Sequence, residues 1–311
     1  MDTVWTADLH THLLEYKIKP KAWWKGVQNA GLDVVAMTEH TELKYHPIDG
    51  WNAVAPLQPD NVCLIPGAEV MTDYGHVLVY SDSPELYELH EIMQPQVEME
   101  QLLEIAKREK LTVSLSHPFG YDHDSAVFLA GLENVRNIVR KHQIGVEAYN
   151  GMIGHLGEFL LSSKWVKRPS NFFHFLERNK VARKTGLGYI GGKAGKKYDK
   201  GTGSLVQRIV NMTVFGEEAP FITAGSDAHS ADRIGCGMLK LAVAKEVELN
   251  PQKFLEELKK KNVLWAGPFV EEVSPGIYEK QIKGLRRGEI WKGLKYVVKR
   301  KVKERRKKGE K

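Results

Sequence analysis

The chain has 311 residues, 42% hydrophobic and 27% charged, with 7 Trp, 11 Tyr and 10 Phe, enough apolar material for a large packed core and too much for a disordered chain. No apolar run approaches the ~20 residues that a membrane-spanning helix needs, and two cysteines, Cys63 and Cys236, make neither a disulfide framework nor a CxxC metal ribbon. The net charge of +6 is unevenly spread: residues 279–311 hold 15 Lys and Arg against 4 Glu, and residues 1–278 hold 30 against 35 Asp and Glu, so a mildly acidic body carries a strongly basic tail.

Met1-Asp2-Thr3 runs directly into Val4–Leu9, a predicted strand, without the basic, apolar and small-residue sequence of a secretion signal. A cytoplasmic location is the expectation. Lys21–Ala30 then shows helical spacing and stops at Gly31. Strands are predicted at Asp33–Met37, Val62–Val70 and His76–Tyr80, a helix over Val97–Glu109, a strand at Leu111–Leu115, a helix over Leu132–Lys141 and a strand at Ile144–Tyr149. Phe221–Ala224 and Leu239–Val243 read as strands and Pro251–Lys261 as a last helix. Alternation of this kind predicts an α/β fold with a parallel sheet covered by helices, either a barrel or an open doubly wound sheet.

The polar residues favour the barrel. Asp8-Leu9-His10-Thr11-His12, Thr38-Glu39-His40, Gly67-Ala68-Glu69, Ser116-His117-Pro118, Glu147 and Gly225-Ser226-Asp227-Ala228-His229 fall at or near C-terminal ends of predicted strands. That rim is where βα barrels gather their active sites, whereas an open sheet needs polar groups only at one switch point.

The rhythm breaks from about 170 to 204. Lys180–Ser204 holds seven Gly and seven Lys or Arg against one Asp, without apolar periodicity, and reads as an inserted flexible basic or lid loop. Gly186–Gly191 satisfies GxGxxG, but no strand precedes it and no amphipathic helix follows, so a dinucleotide site is excluded by context. His46, His90, His123, His142, His155 and His174 read as surface or loop residues.

In a strand, residues two apart face the same side, so His10 with His12, and Asp227 with His229, can each present a pair of ligands to one point. Two converging pairs of imidazole and carboxylate suit zinc, manganese or iron, and the lack of Cys argues against a purely structural zinc. Asp8 and Glu39 read as orienting neighbouring groups. Glu147 is placed near the site as an electrostatic floor, an orienting base or a direct ligand.

DLHTH (8–12), Thr38-Glu39-His40, GAE ending at Glu69, GHVLVY with His76, SHP with His117, GVEAYNG with Glu147 and Asn150, and GSDAH with Asp227 and His229 together resemble the PHP (polymerase and histidinol phosphatase) domain family over about residues 4–245. The resemblance implies a distorted (β/α)7 barrel, here with a basic helical extension, holding two or three divalent metal ions and hydrolysing phosphate mono- or diesters. It implies His10, His12, Glu69 and Asp227 as ligands of one ion, with Glu69 bridging to a second held by His76 and His117, and His40 with His229 at a third. Glu69, His117, Asp227 and His229 are the implied catalytic residues, water activated between the bridged ions being the nucleophile and His117 or His229 serving the leaving group. Two departures stand out. Where many relatives have Ser-Asp-Gly after the first His pair, this chain offers only Glu15, and its second motif carries Glu39 where Asp is usual.

Two other readings compete. An amidohydrolase also begins with His-x-His, but it usually ends on a lone Asp and often carries a bridging lysine. A non-catalytic, metal-stabilised nucleic-acid-binding module would not need the full ligand set. The organisation expected is a barrel over 1–278 and a tail over 279–311. In the tail, Ile290, Leu294, Val298 and Val302 recur every four residues among lysines and arginines. This predicts a cationic amphipathic helix that docks on the barrel, binds nucleic-acid phosphates or lies on an anionic membrane. The substrate expected is a phosphorylated small molecule or a nucleic acid.

Overall fold

A computed structural model describes residues 2–154, 164–180, 183, 187–268, 270–274 and 277–280. Strand β1 (Thr3–Asp8) is followed by α1 (Pro20–Asn29), β2 (Val34–His40), α2 (Pro47–Val54), β3 (Cys63–Thr72), β4 (Gly75–Tyr80), α3 (Met99–Arg108), β5 (Thr112–Leu115), α4 (Ala126–Ala130), α5 (Leu132–His142) and β6 (Gly145–Asn150). Then come α6 (Lys164–Arg178), α7 (Leu187–Glu218), β7 (Ile222–Gly225), β8 (Met238–Val243), α8 (Pro251–Leu258), β9 (Val263–Gly267) and the hairpin of β10 (Val270–Ser274) and β11 (Ile277–Lys280). The boundary expected at 278/279 falls inside β11, and the predicted tail helix lies outside the described residues. No helix among the described residues is long and apolar enough to cross a membrane.

The helices bury the stripes that their spacing predicts. Helix α1 starts on Pro20, buries Trp23, Trp24 and Val27, and gives way to Gly31 at φ +60. Helix α3 buries Leu102, Leu103, Ile105 and Ala106 and ends on Lys107 and Arg108, which suit the negative end of its dipole.

The sheet has the order β7-β6-β5-β4-β3-β2-β1-β8-β9 and is nearly closed into a barrel. Closure comes at the end of β1: Leu9 N donates to Ala224 O at 3.1 Å, Asp227 N to His10 O at 2.7 Å, and Thr11 bridges to Ala228. The other half of β1 pairs antiparallel with β8.

The parallel sheet expected from the sequence is interrupted. Strands β1, β2 and β3 are parallel, as are β5, β6 and β7, but β4 follows β3 through a tight turn at Gly75 (φ +96) and runs antiparallel to both neighbours. There is no room in the Thr72–Gly75 connection for a crossover helix, so reversal is the geometry available. The first residues of β4 thereby lie beside the last residues of β3, at the same rim.

Alternation along the strands separates the inside from the outside. Val34 and Ala36, Cys63 and Ile65, and Leu78 and Tyr80 share one buried cluster, whereas Val35, Met37 and Leu64, and Val77 and Val79, pack against the outer helices. Continuing the inner parity to the rim leads to His40, Glu69 and His76.

The loop expected over Lys180–Ser204 is corrected: from Leu187 onward it is the first half of α7, which packs on α6. Its glycines serve contact. A Cβ on Gly191 would stand 2.7 Å from Leu176 Cβ, and one on Gly195 3.2 Å from Phe173 Cβ, so the residues that read as loop punctuation let two helices approach closely. Farther along, Arg208 donates to Gly120 O at 2.6 Å and Asp122 at 2.7 Å, and Phe215 meets Phe119, tying the helix to the segment after His117.

Gly225 ends β7 against β1, where a Cβ would stand 2.2 Å from His10 Cβ and 2.5 Å from His10 N. Gly225→Ala is therefore expected to destabilise the fold by about 2–3 kcal/mol, read from urea denaturation, because backbone and not a flexible side-chain end is in the way.

Candidate metal centre

Eight sequence-predicted residues meet at the closed rim: His10 and His12 after β1, His40 and Glu69 at the ends of β2 and β3, His76 at the start of β4, His117 after β5, and Asp227 and His229 after β7. Glu69 is at their middle, 1% exposed. Its Oε2 lies 3.1 Å from His10 Nε2, 3.4 Å from His12 Nε2 and 3.2 Å from His40 Nδ1. Its Oε1 lies 3.1 Å from His76 Nδ1 and 3.2 Å from His117 Nε2, and accepts from Ser116 Oγ at 2.8 Å. One carboxylate thus divides five imidazoles between its two oxygens. Asp227 Oδ1 stands 3.3 Å from His12 Nε2 and 3.8 Å from His10 Nε2.

The backbone is held to this arrangement by the motif residues. Asp8, fully buried, accepts from Ser226 N and Gly235 N, both at 2.8 Å, joining β1 to the segment after β7. Thr38 Oγ1 accepts from Thr11 N at 3.0 Å and donates to Thr11 O at 3.1 Å, and Glu39 accepts from Leu13 N and Leu14 N at 2.7 and 2.8 Å. Asp8 and Glu39 therefore orient main chain. Glu147 takes the orienting place: Oε1 is 3.0 Å from His10 Nδ1, and Oε2 accepts from His117 N at 2.7 Å and from Asn150 Nδ2 at 3.2 Å. Asn150 also donates to Asp227 Oδ2 at 3.2 Å, and Ser125 Oγ meets His117 Nδ1 at 3.1 Å. His117 (φ +26) and Asp227 (φ +51) both adopt positive φ, a strained conformation for these residues that aims them inward from strand ends.

The donors fit divalent metal ions. Both ring nitrogens of His12, and Nδ1 of His40 and of His76, are buried without a hydrogen-bond partner, although carboxylate oxygens are close by. An unsatisfied buried polar group costs about 1–3 kcal/mol, and ligands each about 2.0–2.2 Å from one ion stand about 3.0–3.5 Å apart. These are the spacings around Glu69. His10, His12 and Asp227 form one group of converging donors and Glu69, His76 and His117 another, while His40 joins His12 with Glu69 and also Glu42 with His76.

The pairing of His40 with His229 is looser than the resemblance implies. Their Nε2 atoms are each 3.7 Å from Glu15 Oε2, and His229 Nδ1 donates to Asp227 O at 2.7 Å. Glu15 faces both histidines. Glu42 is a site residue that the sequence reading missed. It lies two positions beyond His40 and so has the same-side signal that identified His10 with His12.

Protonation follows from crowding. Burial disfavours the imidazolium of His10, yet Glu69, Glu147 and Asp227 outweigh it and raise its pKa well above the ordinary value; for His76, Glu69 and Glu42 do the same. His12 goes the other way, to about 3, through burial and the neighbouring His40 and His10. Burial opposes ionisation of Glu69 and Asp227, but the histidines hold both carboxyls well below the usual range. Asp8, with no histidine charge among its main partners, is raised by burial to about 6.

A PHP-associated family model matches residues 221–263. Among solved structures, the fold is similar to that of a two-domain protein from Bacteroides vulgatus containing a predicted PHP-like metal-dependent phosphoesterase, at 17% identity and a TM-score of 0.52, covering 88% of this chain and 73% of that one. No curated protein matches the chain.

Because His10 and His76 hold protons that an ion must displace, metal affinity is expected to rise with pH by about tenfold per pH unit for each proton released around neutrality. Calorimetry of zinc binding in buffers of different ionisation enthalpy would count those protons.

Proposed function

We propose, for a chain that belongs with the PHP-domain proteins by its fold and its 221–263 segment, metal-dependent hydrolysis of a phosphate mono- or diester as the activity. The observation that carries this reading is the division of five imidazoles between the two oxygens of Glu69. Such a carboxylate is suited to lie between two cations. Divalent ions supply positive charge to offset the phosphoryl oxygens and acidify water, which is the chemistry that phosphoester hydrolysis lacks at neutral pH.

The chain's own residues have separable tasks. His10, His12 and Asp227 would hold one ion and His76 with His117 another, with Glu69 shared; His40 stands between the two groups. Glu147 and Ser125 fix the rings of His10 and His117 through the nitrogens that do not face Glu69. His229 is partly exposed at the rim, donates from Nδ1 to the Asp227 carbonyl, and has Nε2 3.7 Å from Glu15, which leaves that nitrogen to carry a proton to the leaving oxygen. Zinc, manganese or iron suits this nitrogen and oxygen donor set.

The substrate proposed is a phosphorylated small molecule, a nucleotide or an oligonucleotide, with the basic tail over 279–311 as the nucleic-acid contact and the cytoplasm as the location. The tail's excess of 15 basic over 4 acidic residues supports that choice.

Replacing Asp227 by Ala is expected to lower hydrolysis at least about a thousandfold and to reduce bound metal, since it removes a ligand. The measurement is elemental analysis with a screen of phosphomonoesters, cyclic nucleotides and single-stranded DNA and RNA in added manganese; full retention of metal and turnover would refute the assignment. Deleting 279–311 is expected to weaken oligonucleotide binding and flatten its salt dependence, measured as log affinity against log salt. An unchanged slope would point instead to a tail docked on the barrel.

A further inference from the structure

Building on the reading of this cluster as a metal centre, we propose that Glu42 is a positioning residue that sets the tautomer of His76 and so presents Nδ1 of that ring as the ligand. A neutral imidazole carries one N–H, and the partner of that N–H decides which nitrogen keeps its lone pair for an ion. Glu42 Oε1 lies 3.0 Å from His76 Nε2 as a hydrogen-bond acceptor. With Nε2 donating there, Nδ1 keeps its lone pair. That atom is buried, has no hydrogen-bond partner and stands 3.1 Å from Glu69 Oε1, the oxygen that also faces His117 Nε2 at 3.2 Å. When an ion displaces the proton of this nitrogen, its lone pair faces the same oxygen that His117 faces, so Glu69, His76 and His117 converge on one point.

The backbone explains why Glu42 reaches this place. Pairing of β2 with β3 continues past His40, because Thr41 N donates to Glu69 O at 3.0 Å and Met71 N to Thr41 Oγ1 at 3.4 Å. Glu42 therefore keeps the inward parity of His40, and its Oε1 lies 3.3 Å from His40 Nδ1 as well. Its side chain is 24% exposed against 1% for Glu69, which places it at the outer margin of the cluster and not at its centre. Glu147 holds His10 in the same way from the opposite side of the barrel, at Nδ1, leaving Nε2 for Glu69 and Asp227. The two carboxylates thus select opposite nitrogens on their two rings.

The test compares wild type, Glu42→Ala and Glu42→Gln by calorimetric titration of metal-depleted protein with zinc, and reads the His76 tautomer from nitrogen-15 shifts of histidine-labelled, zinc-loaded protein. Glu42→Ala is expected to weaken one binding step about 10–100-fold while the full number of ions still binds at saturating zinc, and to show His76 bound in part through Nε2, with the hydrogen on Nδ1. Glu42→Gln, whose amide oxygen still accepts the N–H, is expected to keep the tautomer and most of the affinity. Equal affinities in all three proteins would overturn the proposal. So would an ion missing from Glu42→Ala even at saturation, which would make Glu42 a ligand. Wild-type protein that binds no divalent ion would overturn the metal-centre reading itself, and this assignment with it.

Discussion

A carboxylate shut away from water among packed strands has to meet positive charge or accept a proton, since removing an ion from water costs several kcal/mol even after the protein relaxes. Glu69 meets that demand with imidazoles on every side, and the rest of the rim follows from it. The histidines that surround it cannot all be protonated, because they would repel one another. His12 is held neutral by burial and by its neighbours His40 and His10, while the carboxylates beside His10 and His76 favour the protonated ring there. The cluster in its proton-bound form is a compromise of partial pairings, with several ring nitrogens left without a hydrogen bond. A divalent cation resolves the conflict that protons leave, since it satisfies nitrogen and oxygen donors from one point.

Bringing the donors to one place is the work of strand ends. Parity along β2, β3 and β4 carries the barrel-lining side of each strand to His40, Glu69 and His76. Reversal of β4 matters because a parallel strand in that slot would put its beginning, and His76 with it, at the far end of the barrel. Where parity does not suffice, the chain bends: His117 and Asp227 take positive φ, and Gly225 lets β7 lie directly against His10. Asp8, Thr38 and Glu39 then spend their hydrogen-bonding capacity on main chain, which holds the loops beyond β1 and β2 in register.

Much of this is visible in the residues alone. The barrel and its polar rim are legible because apolar runs end in His, Glu or Asp at nearly every strand, and because residues two apart share a side. The direction of β4 is not legible that way, since period-two alternation is the same in either direction; only the short Thr72–Gly75 connection carries the information. Glu42 escaped notice although it repeats the spacing of His10 and His12, because a threonine-glutamate pair after a strand also reads as ordinary surface. The helix over 187–218 was hidden by composition. Glycine and lysine signal a loop when the neighbouring surface is unknown, and glycine signals close contact once a second helix is there to meet it. The apolar side chains that do show helical spacing, such as Met212 and Phe215, fall late in the 187–218 helix and outside the glycine-rich stretch.

The seam between Thr11 and Ala228 has a kinetic consequence. It joins segments more than two hundred residues apart in the chain, with β2 to β7 between them, and contacts of such long sequence separation form slowly. His10, His12 and Asp227 lie on both sides of that seam. A nascent chain still lacking β7, or a proteolytic piece from either half, would contain many of the right side chains and still not assemble the pocket. The group of His10, His12 and Asp227 is therefore completed only when the ring is joined, whereas Glu69, His76 and His117 come from neighbouring strands.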